Sequence, residues 1–302
     1  MNRARSSKNF VQGFAFLAVG LLLALCASLL HGLDEQRPAA TRAKELMYLP
    51  KGKYLRVAAL GYNQVAADIL WIKAVQHFGN MYEPAEGYRW AYHAVDVLTD
   101  VDPKFSYSYQ ATGTVLTVHA HQIQESNQIL SKGMRNNPEV WELPYLIGYN
   151  HYFELCDPAE GAKYLQIASS LPGAPSYLPQ LAARMRVEAG DPDAAIEFLV
   201  RFIDQTRDER VREGLVERLK EVVTERNIRV LEGAVLRYRS MLGRLPMKLQ
   251  DLVTRGLIEK IPTEPLGGVY ELNSDDGHVA STKLRERLRV HRTTACRSTP
   301  KT

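Results

Sequence analysis

Apolar and polar residues follow a helical period along most of the chain, and the amphipathic stretches recur at a regular interval. Four of them are similar in length and cover residues 91–103, 126–138, 161–173 and 194–206. Their starts are separated by 35, 35 and 33 residues, and three of the four end at or beside a proline. Self-similarity at such an interval is the signature of a repeat architecture. The pattern therefore predicts an all-α array of repeated units.

A second helical pattern precedes each of the last three stretches, at residues 105–120, 140–155 and 175–189. Each carries a small residue near its middle, where two helices can cross closely; these are Gly113, Gly148 and Ala182 or Ala183. A helix with a small crossing residue, a turn, a second helix and a proline resembles the tetratricopeptide repeat (TPR) of 34 residues. The resemblance covers residues 54–206 and implies a right-handed solenoid of helix–turn–helix units.

The amino-terminal region contains an uncharged run, Phe10–Leu33, whose 24 residues match the roughly 20 that a membrane-spanning helix needs. A cleaved or lipidated amino terminus is the alternative, because Leu23–Cys26 partly resembles a bacterial lipobox. Basic residues precede the run and acidic residues follow it, which keeps the amino end in the cytoplasm; they are Arg3, Arg5, Lys8, Asp34 and Glu35. We therefore expect a single-pass protein of the bacterial inner membrane whose bulk faces the periplasm.

Two segments flank the repeats. Residues 54–79 are strongly apolar and predict a first repeat helix that also packs the array near the membrane. We expect Trp71 and Tyr62 to pack in its core, although they could instead mark a partner surface. Residues 208–242 form one amphipathic pattern without proline. Because a solenoid needs a terminal cap with a polar outer face, this segment is predicted to be a capping helix.

The segment 238–272 resembles the carboxy-terminal half of type II secretion pseudopilins. The residues that carry the resemblance are Tyr238, Gly243, Arg244, Pro246, Leu249, Leu252, Gly256, Leu257, Ile258, Pro262, Pro265, Gly267 and Tyr270. Glu264 and Leu266 replace the Asp and Trp of the pseudopilin loop, and the pilin processing site is absent. The resemblance implies a helix packed on a small β-hairpin, with strands at Val269–Leu272 and Gly277–Ser281, and not assembly into a pilus.

The chain accordingly divides into six parts. They are a cytoplasmic basic end (1–9), a transmembrane signal anchor (10–33), a linker (34–53), the TPR-like repeats (54–206), a capping helix with a pseudopilin-like module (207–282) and a basic tail (283–302). The net charge of +4 is uneven, with +3 before residue 10 and +6 from residue 283 onward, so the remaining residues carry −5. An acidic middle does not support nucleic-acid binding. The tail is predicted to be disordered, or alternatively to attach to an anionic surface.

Motifs for catalysis or metal binding are missing from the sequence. Cys26, Cys156 and Cys296 match no metal-site spacing, and we expect Cys156 to be buried and unpaired. The eight histidines are scattered over the predicted helices, and no HExxH, GxSxG or Walker-type loop occurs. Asp191 and Asp193 precede a helix, where capping accounts for them. We therefore predict a protein that is not an enzyme and that uses no cofactor, metal or small-molecule substrate.

The predicted function is that of a membrane-anchored, periplasm-facing scaffold in an envelope assembly such as a secretion, pilus or cell-surface complex. Stacked repeats fix a curved surface before binding, so the concave face is expected to hold a protein partner at little entropic cost. The candidate partner-binding residues lie on the first helix of each unit and are Tyr109, Thr112, Leu116, Tyr145, Tyr149 and Tyr152. The alternative is a constitutive subunit of a membrane complex, packed through its transmembrane helix and residues 54–79.

Overall fold

Helices dominate the parts of the chain that the computed structural model describes, namely residues 17–22, 24–29, 31–32, 48–78, 89–284, 286–288 and 296. The predicted anchor 10–33 lies only partly within these ranges, where its described residues are helical. Within the described ranges, no helix combines the length and the apolar character that a membrane crossing requires. The predicted cytoplasmic end 1–9 and most of the linker lie outside the described residues.

Helices occupy the repeat region where the sequence predicts them. They are α1 (Gly52–Ala58), α2 (Asn63–Phe78), α3 (Arg89–Val101), α4 (Ser106–Val118), α5 (Ile123–Asn136), α6 (Glu142–Tyr149), α7 (Pro158–Ser169), α8 (Leu178–Glu188) and α9 (Pro192–Gln205). From α2 to α9 each helix packs against the next, and α4 also contacts α6 while α3 contacts α5. Helices α4 and α6 are the first helices of two neighbouring units, and α3 and α5 are second helices. These contacts therefore stack each helix on the equivalent helix of the next unit.

Glycines allow the close crossings that the sequence predicted. A Cβ atom on Gly113 would lie 2.7 Å from the side chain of Leu130, and one on Gly148 would lie 3.0 Å from the carbonyl oxygen of Gly161. Ala182 and Ala183 are fully buried at the corresponding position of α8. Because the first distance is shorter than real Cβ contacts and the second is tighter than most of them, larger residues would force the helices apart.

Aspartates fix the beginning of three helices. Asp157, Asp191 and Asp208 each accept hydrogen bonds from backbone N–H groups of the first turn, and a proline follows the first two. Such caps satisfy donors that the helix itself leaves unpaired, and each contributes about 1 kcal/mol. The capping role predicted for Asp191 is confirmed, and the caps explain why the predicted and observed helix starts agree closely.

The apolar segment 54–79 forms two helices where one was predicted. Leu60 and Gly61 have φ angles of +49° and +93° and form the turn between α1 and α2. Trp71 packs edge-on against Phe78 and Phe105 at centroid distances of 5.9 and 5.7 Å, which confirms its predicted place in the core. Tyr62 is 74% exposed, so its predicted core packing is wrong.

The carboxy-terminal module follows the predicted order of elements. Helix α10 (Glu209–Leu242) ends at Gly243, whose φ of +68° gives the left-handed helix stop. The short α11 (Gln250–Thr254) and an antiparallel hairpin then pack on its carboxy-terminal half. Strands β1 (Tyr270–Leu272) and β2 (Val279–Ser281) pair Tyr270 with Ser281 and Leu272 with Val279. The predicted strands are confirmed, each slightly shortened.

Most of the basic tail 283–302, predicted to be a disordered extension, lies outside the described residues, but three of its described residues, Arg287, Leu288 and Cys296, contact the rest of the chain. Leu288 is 3% exposed and belongs to the core between α8, α9 and α10. Cys296 forms a disulfide with Cys156, so the expectation that Cys156 is unpaired is wrong. The bond joins residues 140 positions apart, which no local sequence pattern could indicate.

Candidate partner-binding groove

Four of the six predicted partner-binding residues lie in the core and not on a free surface. Tyr109, Thr112 and Leu116 are 0% exposed and Tyr152 is 1% exposed. Tyr109 faces Gly133 of α5, and the Tyr152 hydroxyl donates to Glu188 at 2.7 Å. Their assignment to a partner surface is therefore wrong, because these side chains fill the contacts between the helices of the array.

The other two predicted residues, Tyr145 and Tyr149, line an open cavity between α4 and α6. Its volume is about 260 Å³. The lining is largely apolar and consists of Gly113, Thr114, Thr117, Val118, Leu130, Tyr145, Leu146, Tyr149 and Asn150. We call this cavity the α4–α6 groove. It lies between two first helices, which is the layer in which the sequence predicted a binding surface.

The local sequence explains how the groove is formed. Because Gly113 has no side chain, Leu130 of α5 reaches between α4 and α6 and forms part of the apolar floor. Helix α6 then widens into a π-helical turn over Asn150–Glu154. Such turns insert one extra residue and are common at functional sites. Here the turn brings a buried amide, that of Asn150, into the lining.

A closed hydrogen-bond network supports this end of the groove. Asn150 Nδ2 donates to Ser126 Oγ at 3.0 Å and to Asn127 Oδ1 at 2.8 Å, and Ser126 Oγ donates to the Gly113 carbonyl at 2.8 Å. Thr117 Oγ1 donates to Asn150 Oδ1 at 3.0 Å. Because buried polar groups that pair with one another are rigid, the network holds α4, α5 and α6 in one arrangement.

Aromatic side chains form one wall of the groove. Tyr145 packs edge-on against Trp141 at 5.8 Å, and Tyr149 packs against Phe153 at 4.6 Å between ring centroids. Burial raises the pKa of the Tyr145 hydroxyl, and the neighbouring Tyr177 and Tyr149 add to the effect. The hydroxyl therefore stays protonated at neutral pH and can donate a hydrogen bond to a ligand. Half-buried tyrosines of this kind are typical anchors in protein interfaces.

Charged clusters elsewhere in the described structure hold elements together. Lys132 of α5 donates to Asp96 and Asp100 of α3, at 2.7 Å each. Arg287 of the tail binds Glu225 and Glu232 of α10 at 2.8 and 3.0 Å. Both clusters link two elements of the chain, and every acid in them faces a base. Sequence reasoning missed the second cluster because the tail was expected to be disordered.

Metal-binding geometry is not found among the residues that the structure describes, where no three His, Cys, Asp or Glu side chains converge on one point. Two of the histidines contact other parts of the fold. His93 Nε2 lies 3.1 Å from the Leu49 carbonyl oxygen, and the His151 ring stacks on Tyr164. The absence of an enzymatic activity stays a prediction.

Comparison with known proteins adds no assignment. No protein-family model matches the chain, and no curated protein matches it. The chemistry of a ligand for the groove therefore follows from the lining residues. An apolar cavity with a tyrosine wall, one buried amide and no charged side chain suits an aliphatic or aromatic side chain.

Proposed function

We propose that this protein is a membrane-anchored scaffold whose TPR-like array faces the periplasm and binds a protein partner through the α4–α6 groove. The observation that carries the proposal is the open, largely apolar groove of about 260 Å³ between two first helices. An apolar side chain of the partner enters the groove, and the polypeptide on either side of it runs along the first helices.

The rigidity of the groove supports this function. Its walls are held by the Asn150 network and by the glycine crossings described above, so binding orders little of the scaffold itself. The Tyr145 hydroxyl offers a hydrogen-bond donor to the backbone of the bound segment, whereas the Asn150 amide is already paired within the network. Preorganised side chains with few rotatable bonds keep the entropic cost of association low. A groove of this size holds one large side chain as an anchor.

The disulfide supports the proposed compartment. Disulfides persist in oxidising spaces such as the bacterial periplasm and are rare in the cytosol of mesophiles. Cys156 and Cys296 both belong to the part of the chain that would be exported if Phe10–Leu33 spans the inner membrane with its basic flank inside. The charge distribution around the uncharged run and the disulfide thus favour the same topology.

Val118 at the rim of the groove provides the test. It is 54% exposed, so Val118→Glu introduces a charge into the groove without removing core packing. Val200 on α9 is 42% exposed and lies outside the groove, so Val200→Glu is the matched control. The full-length, carboxy-terminally tagged protein is isolated from crosslinked cells, and its partners are identified. The proposal predicts that an envelope protein is lost with Val118→Glu and kept with Val200→Glu. Recovery of cytosolic proteins alone, or equal recovery by both variants, would contradict it.

A second candidate function is that of a constitutive subunit, packed in a membrane complex through the uncharged run and residues 54–79. Several side chains of α1, α2 and the turn between them favour it because they are apolar and exposed, among them Val57, Leu60 and Ile72 at 75%, 84% and 57%. A constitutive subunit would copurify with fixed stoichiometry irrespective of Val118→Glu. Unchanged recovery of the complex by that variant would thus favour this candidate over the groove.

A further inference from the structure

Exposed apolar side chains are concentrated at the amino-terminal end of the array. Among the described residues, nine large apolar side chains of residues 48–75 are exposed, whereas residues 89–288 contain twelve in total. We call the densest part the α1–α2 surface. It consists of Tyr54, Val57, Leu60, Tyr62, Val65, Ile69 and Ile72, and the same segment contains the exposed basic residues Lys51, Lys53, Arg56 and Lys73. Exposed apolar side chains in such number mark a surface that binds another protein or a membrane.

Helix α2 is apolar on two opposite sides. Ala67 and Ala74 are 0% and 1% exposed and belong to the cores that α2 shares with α3. Val65, Ile69 and Ile72 follow the i, i+4, i+7 spacing on the other side and are 53–57% exposed. The end helix of a repeat array normally has a polar outer face. The apolar outer face of α2 therefore departs from what a cap in water requires.

Leu60 is the most exposed apolar residue of this surface. Its side chain is 84% exposed, and its backbone has a φ of +49° in the turn between α1 and α2. A non-glycine residue in this region costs about 1 kcal/mol or more, and asparagine or glycine would avoid the cost. The Leu60 side chain belongs to none of the hydrophobic clusters of the described residues, so apolar packing among them does not offset that cost. Burial of the Leu60 side chain in an apolar environment outside the protein would offset it.

Charge decides which occupant suits the α1–α2 surface. Lys51, Lys53, Arg56 and Lys73 are exposed, and Asp68 is the single acidic residue between positions 48 and 78. A second copy of the chain would bring like charges together, which is unfavourable. Tyrosines with lysines and arginines around an aliphatic centre are the composition of segments that lie at a bilayer interface. Anionic lipid headgroups would pair with the basic residues.

The sequence places this surface next to the membrane. The uncharged run ends at Leu33, 15 residues before Tyr48. Even a fully extended connection of that length reaches only about 50 Å. If Phe10–Leu33 anchors the chain, Tyr48 therefore lies within about 50 Å of the bilayer, and the α1–α2 surface, which begins just after it, is the part of the array nearest to the anchor along the chain.

We propose that the α1–α2 surface lies on the membrane, with its aliphatic side chains at the boundary between headgroups and acyl chains and its basic residues on anionic lipids. This inference rests on the proposed anchor and goes beyond it. An anchor alone does not set the orientation of the array, whereas a second contact fixes it, and with it that of the α4–α6 groove, relative to the bilayer.

Photo-crosslinking of the full chain tests the proposal. The protein is reconstituted in vesicles of phosphatidylethanolamine and phosphatidylglycerol, with a diazirine amino acid in place of Ile69 or, as a second probe, Val65. The matched control carries the same amino acid in place of Leu236 on α10, which is 65% exposed. Adducts are identified by mass spectrometry, and vesicle flotation is measured on the same samples. The expected yield of lipid adduct at Ile69 exceeds that at Leu236 by about tenfold, and it falls when phosphatidylglycerol is omitted.

The outcomes separate this proposal from the anchor. Flotation without lipid adducts at Ile69 and Val65 leaves the anchor intact and overturns the membrane contact. Adducts to a second copy or to another protein also overturn it, and they assign the surface to a protein partner. Equal lipid yields at Ile69 and Leu236 overturn it as well, since contact would then be unspecific. Failure to float would contradict the anchor and this inference together.

Discussion

Single glycines set how closely the helices of the array approach one another. Gly148 of α6 lies where a Cβ atom would meet the side chain of Leu165 and the carbonyl oxygen of Gly161. A carbonyl oxygen cannot move without shifting α7. Gly233 differs, because it lies within α10 with space around it, and the nearest atom to an added Cβ would be 3.8 Å away, at the end of Arg237.

The two glycines therefore respond oppositely to the same substitution. Gly148→Ala is expected to lower the free energy of unfolding by about 1–3 kcal/mol through overpacking. Gly233→Ala is expected to raise it by about 0.5–1 kcal/mol, because alanine loses less backbone entropy in a helix. Urea denaturation of both variants measures the difference. Equal effects would show that the close crossing of α6 and α7 is not required.

Glu264 is a buried carboxylate whose ionised form the fold stabilises. Burial would raise its pKa, but hydrogen bonds from the Gly268 N–H group and the Thr224 and Ser281 hydroxyls lower the pKa below its usual value. In the unfolded chain the pKa is about 4.3. The carboxylate thus contributes its full stability above that pH, and the contribution is lost as the pH falls through the folded value.

Glu264→Gln tests this pH dependence. The variant should be less stable than the wild type by about 1–3 kcal/mol at neutral pH, since an amide would face donors that need an acceptor. The difference should shrink at an acidic pH below the lowered pKa of Glu264, where the wild-type carboxyl group takes up a proton. Glu271→Gln on the exposed side of β1 is the control and should change little. A penalty that is the same at both pH values would refute the role of the charge.

The sequence predicted where helices lie better than which residues are free to bind. Apolar spacing, aspartate caps and crossing glycines are local signals, and all three were readable along the chain. Whether an aromatic residue faces a neighbouring helix or solvent depends on a rotation of one or two positions. Tyr109 and Tyr152 consequently fill the core, whereas Tyr145 and Tyr149 line the groove.

At the level of elements, the carboxy-terminal tail is bound to two other parts of the chain. Arg287 pairs with Glu225 and Glu232 of α10, and Cys296 is bonded to Cys156 in the turn after α6. In both connections the partner of the tail is distant in sequence. The local sequence of the tail therefore indicated only a basic segment and not its partners. Residues 284 and 288 are apolar at helical spacing, which was a weak signal that this part packs.

The disulfide should stabilise the protein by restricting the unfolded chain. Cys296→Ser is expected to lower the free energy of unfolding under oxidising conditions by about 2–4 kcal/mol. Reduction of the wild type should have the same effect, and reduction of the variant should have none. Cys26→Ser is the control, because Cys26 is exposed and unbonded. Equal stability of the wild type and Cys296→Ser in thermal or urea unfolding would refute a structural role for the bond.

At the level of the whole molecule, four parts follow one another along the chain: an uncharged amino-terminal run, the α1–α2 surface, a helical array with a groove, and a carboxy-terminal module whose tail is bonded back to the array by a disulfide. The proposed assembly uses them in that order. The run anchors the chain, the α1–α2 surface contacts lipid, and the α4–α6 groove holds the partner. The sequence alone predicted the anchor, the array, a binding surface on the first helices and a place near the membrane for residues 54–79. It did not predict the groove itself or the exposed apolar face of α2, because both depend on which helix faces stay unpaired.

The central claim is that the α4–α6 groove contacts a protein partner in the cell. Site-specific photo-crosslinking tests it most directly, with a diazirine amino acid in place of Val118 in the groove and, as the control, in place of Val200 on α9. Irradiation of intact cells should give a discrete adduct with an envelope protein from position 118 and none from position 200. The same adducts from both positions, or none from position 118, would contradict the claim.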